Sequence, residues 1–218
     1  ISTVQVRNRV LRNTYALLAL SMVPTVIGAW LGVAMGLDLF ASSPFMGFIV
    51  FMAVAFGFFW AIDKNKDTGV GVLLLLGFTF FMGLMLSRMI AMVLGFKNGA
   101  ELVMTAFGGT AGVFFAMASL SSVIKRDISG LGKWLMVGVI ILMVGSIINI
   151  FVGSTAGMLV ISVLSMAIFS AFMLYDLKQI MDGGETNYIS ATLTLYLDVI
   201  NVFQSLLALL GIFGGERE

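Results

Sequence analysis

Seven apolar runs constrain this chain more than anything else in it, because each is close to the roughly 20 residues that a helix needs to cross a hydrocarbon core. They cover approximately residues 14–36, 45–62, 70–96, 102–123, 134–152, 158–180 and 189–213, with short polar links between them. In lipid a spanning segment has to satisfy its own backbone donors and acceptors. The runs therefore predict an all-α integral membrane protein with seven transmembrane helices. No polar stretch is long enough to form a water-soluble domain, and a composition that is 60% hydrophobic and 11% charged, with mean hydropathy +1.10, agrees. The expected organisation is a cytoplasmic N-terminal arm over residues 1–13, a single seven-helix membrane domain over residues 14–213, and a short C-terminal tail over residues 214–218.

Lysine and arginine set the orientation. With the N-terminus in the cytoplasm, the inner segments carry Arg7, Arg9, Arg12, Lys64, Lys66, Lys125, Arg126, Lys133 and Lys178, and the outer segments carry only Lys97 and Arg217. Nine against two, with Arg88 inside a span, predicts a cytoplasmic N-terminus and an external C-terminus. A six-span arrangement with one re-entrant segment and both ends cytoplasmic is the alternative. Arg88 lies about 27 Å along its helix from Val70, near the outer interface, where a long cationic side chain snorkels to water.

Composition also excludes chemistry. With no cysteine and no histidine, the chain has no disulfide, no thiolate, no Ser-His or Cys-His nucleophile, no His-based zinc site and no histidine-ligated haem. A net charge of +1 without a basic stripe gives no surface for nucleic acid. No cofactor and no enzymatic activity are expected.

Two carboxylates stand out against the hydrocarbon. Asp176 lies before, and Asp198 after, the polar turn Gly183-Gly184-Glu185-Thr186-Asn187-Tyr188. A carboxylate at the centre of a span costs about 2.5–3.5 kcal/mol on insertion scales, and such residues usually face a bundle interior or a water path. A hairpin about this turn puts both at similar depth, roughly 8–14 Å below one membrane face. If they meet, they cannot both ionise cheaply, so one proton would be shared, which is a proton-sensing arrangement. Thr194, Asp198, Asn201 and Ser205 recur at helical spacing as one polar stripe, which predicts a last helix surrounded by the other six. Ser162 and Ser165 fall on roughly the Asp176 face of the sixth run. The structural alternatives are a capping or snorkelling role for Asp176, and a hydrogen bond from Asp198 to Asn201 or Thr194. Lys64 and Lys66 close the second run where they could meet Asp176, and plain positive-inside topology is the alternative for them.

The motif residues carry a resemblance. Val10-Leu11-Arg12-Asn13-Thr14-Tyr15 before the first span, the turn Gly183-Gly184-Glu185-Thr186-Asn187-Tyr188-Ile189, and the fainter Gly77-Phe78-Thr79-Phe80 make the chain similar to the Bax inhibitor-1 family, especially its bacterial branch. The likeness runs over nearly the whole chain. It implies a seven-helix fold with the last helix central, and a pH-sensitive calcium leak gated by an aspartate pair at the positions of Asp176 and Asp198. A basic residue of the second helix is expected to lock that pair. This second helix holds no arginine, and Lys64 is the nearest substitute. The branch is also associated with membrane-anchored ATP-dependent proteases, as a substrate or modulator.

Three functions are therefore in play. The first is a pH-gated cation path in which Asp176 and Asp198 bind Ca²⁺ weakly and transiently, since calcium prefers about six to eight oxygens. The second is a modulator or substrate of a membrane-anchored ATP-dependent protease without transport, with the polar arm as its handle. The third, an intramembrane aspartyl protease, fits poorly. Leu195-Tyr196-Leu197-Asp198 lacks a Gly-x-Gly before the aspartate, and the two prolines, Pro24 and Pro44, lie far upstream. The chain ends soon after Phe213 without the charged tail of eukaryotic relatives, which points to a bacterial inner membrane.

Overall fold

The computed structural model describes residues 3–37 and 43–215. Among these residues there are seven helices and no strand: α1 (Thr3–Met35), α2 (Pro44–Asn65), α3 (Gly69–Leu94), α4 (Gly99–Val123), α5 (Leu131–Val152), α6 (Thr155–Asp182) and α7 (Tyr188–Gly214). All seven are long and apolar enough to cross a membrane. The chain is a multi-pass membrane protein. Arg217, used above in setting the orientation, lies outside the described residues.

The helices match the apolar runs closely except at one end. The expected arm is not separate from the first span, because α1 is already helical at Thr3. Val10, Thr14, Leu17, Leu18, Ser21 and Thr25 are buried at helical spacing, while Arg9 and Arg12 are exposed off that stripe and Arg7 is exposed one turn before Val10. Val10 extends the buried face of the span one turn into the arm. At 33 residues, α1 is about 50 Å long, well beyond the roughly 30 Å hydrocarbon core.

Packing divides the helices between two compact units. The first holds residues 1–91 with Glu185–Tyr196, and the second holds Met92–Gly184 with Leu197–Glu218, so α7 contributes its first turns to one and its remainder to the other.

In the first unit α1 and α3 touch backbone to backbone. A Cβ on Gly83 would drive into the carbonyl oxygen of Thr25 and stand 2.9 Å from the Ala29 nitrogen. A Cβ on Gly28 would meet the Phe80 carbonyl, and one on Gly32 would meet the Ser87 side chain. The Gly28/Gly32 spacing is thus a contact surface, whereas Gly36 closes α1 at φ +60°. Phe78 is fully buried between the rings of Phe58, Phe59 and Tyr196, with centroids 5.6, 5.3 and 6.2 Å away. The Tyr196 hydroxyl lies 2.7 Å from Thr25 Oγ1 and 3.3 Å from the Thr79 carbonyl oxygen.

In the second unit α6 packs on both α4 and α5. Gly132 at the start of α5 receives the Tyr175 ring, whose hydroxyl would stand 2.8 Å from a Cβ there. Ser121 Oγ donates to Met181 Sδ at 3.4 Å, and Asn98 Nδ2 donates to the Gly214 carbonyl at 2.6 Å. The Ser154 hydroxyl caps α6 by accepting from Gly157 N at 3.1 Å. Gly183 ends α6 with φ +81°, the left-handed conformation that glycine adopts without a Cβ penalty.

Candidate functional site

The second unit brings the two membrane carboxyls together. Asp176 is half-buried on α6 and Asp198 is 4% exposed on α7, and the two carboxyls lie close enough to interact. Asp198 Oδ2 is buried and has no partner among the described residues. An unpartnered buried oxygen is costly, about 1–3 kcal/mol, and such a group in a hydrophobic span is a functional candidate.

The rest of the stripe does not reach the pair. Asn201 Nδ2 donates to Leu197 O at 2.8 Å, Ser205 Oγ to Asn201 O at 2.7 Å, and Thr194 Oγ1 to Ala191 O at 3.1 Å. Each hydroxyl or amide thus bonds within its own helix one turn back. Ser205 is buried, Asn201 is half-buried and Thr194 is exposed. On α7 only Thr194 and Phe213 are exposed between Tyr188 and Gly214. On α6, Ser162 is buried and bonds Met158 O at 2.8 Å, and Ser165 is half-buried.

Of the basic candidates, Lys64 belongs to the first unit, is exposed, and sits with its ammonium 4.8 Å over the Trp60 ring. Lys66 lies 2.8 Å from Asp63 Oδ1, and that hydrogen bond holds its ammonium above the usual lysine range. On α6, Lys178 pairs with Asp182 at 2.7 Å. Among the described residues no three acidic, histidine or cysteine side chains gather as a metal site.

The polar turn does more than connect α6 and α7. Asn187 Oδ1 accepts from Ile189 N at 2.9 Å and Ser190 N at 3.1 Å, which caps α7. Its Nδ2 donates to Lys66 O at 3.0 Å and Asp67 Oδ1 at 2.9 Å. Glu185 Oε1 accepts from Asn187 N at 2.7 Å. One side chain therefore starts α7 and fastens it to the α2–α3 link. The available sequence signal was an Asx residue directly before an apolar helix. Tyr196, with its bonds to Thr25 and Thr79, was likewise absent from the expected site.

Comparison with known proteins agrees with the motif residues. The family model described as "Inhibitor of apoptosis-promoting Bax1" matches residues 7–215. The chain belongs to the Bax inhibitor-1 family. Its similarity to other members of the Bax inhibitor-1 family is strong. A membrane protein of Vibrio cholerae is 38% identical over 209 residues, 96% of this chain and 92% of that protein. The modulator of FtsH protease YccA of Escherichia coli K12 is 34% identical over 204 residues, 94% of this chain and 90% of that protein. A second Escherichia coli relative at the same identity is named an inner membrane protein.

Proposed function

We propose that this chain modulates a membrane-anchored ATP-dependent protease of a bacterial inner membrane, without being an enzyme itself. The observation that carries the reading is its 34% identity, over 94% of its length, to a protein named as a modulator of FtsH protease. The handle is the first part of α1, a helical arm with Arg7, Arg9 and Arg12 exposed. Positive-inside placement puts that arm in the cytoplasm, where ATP is. The first unit resists extraction because α1 and α3 interlock at Gly28, Gly32 and Gly83. A substrate that unfolds slowly occupies its protease in proportion to its kinetic stability. Co-reconstitution with such a protease tests this by following ATP-dependent degradation of a second membrane substrate. Its rate is expected to change as this chain is added, and a rate that stays constant up to saturating amounts rejects the reading.

The proximity of the Asp176 and Asp198 carboxyls favours a second activity, a pH-sensitive leak of calcium or another cation. Two ionised carboxylates held close together either repel or draw in a cation. Two carboxyls with backbone oxygens fall short of calcium's six to eight ligands, so binding is weak and transient, as a conduit requires. The test is calcium flux into vesicles across a pH series for the wild type, Asp176→Asn and Asp198→Asn. A pH-dependent flux lost in both variants is expected. Flux equal to that of empty vesicles at every pH rejects the activity.

A further inference from the structure

The α4–α5 link is an ordered strip between two spans. Asp127 Oδ1 accepts from Ser129 N at 2.8 Å, and Leu131 N donates to Ile128 O at 2.9 Å just ahead of α5. Gly132 then turns its bare face to the Tyr175 ring of α6. This contact sets the rotation of the first turn of α5, and Lys133 and Trp134 emerge exposed. Trp134 is 76% exposed, the largest value among the exposed large hydrophobic side chains.

Lys125, Arg126 and Lys133 are exposed on the same link. Among the described residues no carboxylate pairs with any of them. Asp127, the acid of the link, is directed to Ser129, and those hydrogen bonds hold it below the usual carboxylate range. Lys178 on α6 is already paired with Asp182. The strip therefore presents three cations against one carboxylate, within a turn or so of the hydrocarbon, beside an indole of the kind that settles at headgroup depth.

We propose that the α4–α5 link, through Lys125, Arg126, Lys133 and Trp134, is a binding site for the headgroup of an anionic phospholipid. The phosphate accepts from the two lysines and the arginine, whose fork suits two phosphate oxygens. The Trp134 ring lies along the glycerol and upper acyl region. Lipid is favoured over an acidic protein surface because the exposed cations and the exposed indole all belong to one short link and the first turn of the span that follows it. A cation near an anionic membrane surface contributes about a fivefold gain in affinity. Two net charges then give a preference for anionic over neutral lipid of up to roughly 30-fold at low salt.

The test uses the full chain with Trp30→Phe and Trp60→Phe, which leaves Trp134 as its only indole. Quenching of Trp134 is measured in vesicles containing brominated phosphatidylglycerol or brominated phosphatidylcholine. Stronger quenching by the anionic lipid, weakened by salt, is expected. Lys125→Gln with Arg126→Gln and Lys133→Gln should abolish the preference. Asp127→Asn keeps the oxygen that receives Ser129 N and should strengthen the preference about fivefold. Equal quenching by the two lipids, or a preference that none of these charge changes moves, overturns the proposal. So does an anionic preference that appears only when a protein partner is added.

Discussion

The approach of α1 and α3 gives a quantitative expectation for Gly83→Ala. The added methyl would meet the carbonyl oxygen of Thr25 and lie 2.9 Å from both the Ala29 nitrogen and the Thr25 carbonyl carbon. Comfortable contact is about 3.5–4.0 Å, so the helices must part by about an ångström along this seam. All three atoms are backbone, so no rotamer change can relieve the clash. Overpacking of this kind costs about 1–3 kcal/mol, and an immovable partner places Gly83→Ala at the upper end. The helix-propensity gain of alanine over glycine, about 1 kcal/mol, offsets part of it. The expected net loss is about 2 kcal/mol. Gly57→Ala and Gly112→Ala are the controls, since a Cβ at either meets open space, and both should be neutral or up to about 1 kcal/mol more stable. The assay is reversible unfolding in mixed micelles. Gly83→Ala as stable as Gly57→Ala would refute the backbone-contact argument.

Three further outcomes follow from the polar contacts. Asn187→Ala should lower stability by about 1–2 kcal/mol by removing the α7 cap and the bonds to the α2–α3 link, and Asn187→Ser, which keeps only the cap, should recover part of it in thermal unfolding. Tyr196→Phe should cost about 1 kcal/mol through its lost contacts with Thr25 and the Thr79 carbonyl, read by the same unfolding assay. Asp127 is held below the usual carboxylate range by Ser129; its stabilising contribution is therefore present above the unfolded value, about 3.9, and is lost as pH falls through the lower folded value. The unfolding midpoints of wild type and Asp127→Ala should then differ at neutral pH and converge in acid.

Hydropathy made the spans legible, because a lipid-facing helix announces its length in its own residues. The arm was not legible as helix, since Arg7, Arg9 and Arg12 mask the buried Val10. The aspartates stood out in the sequence as a candidate pair because the turn between them suggests similar depths. Hydrogen-bond partners could not, and Asn201 and Thr194 bond carbonyls within α7 that any sequence would offer. The Asn187 clasp was hidden for another reason, as its partners Lys66 and Asp67 lie some 120 residues upstream. The α1–α3 contacts at Gly28 and Gly83 were equally hidden, because among 25 glycines close spacings arise by chance and only geometry identifies those that touch a neighbouring helix.

Physical association with a protease is the most direct test of the central claim. In vesicles or nanodiscs holding a membrane-anchored ATP-dependent protease, affinity would be measured for the intact chain, for a chain lacking residues 1–13, and for Gly57→Ala as a folded control. The account predicts that the intact chain and the control bind while deletion of the arm abolishes binding. Absence of binding by the intact chain, or equal binding with and without the arm, would contradict it.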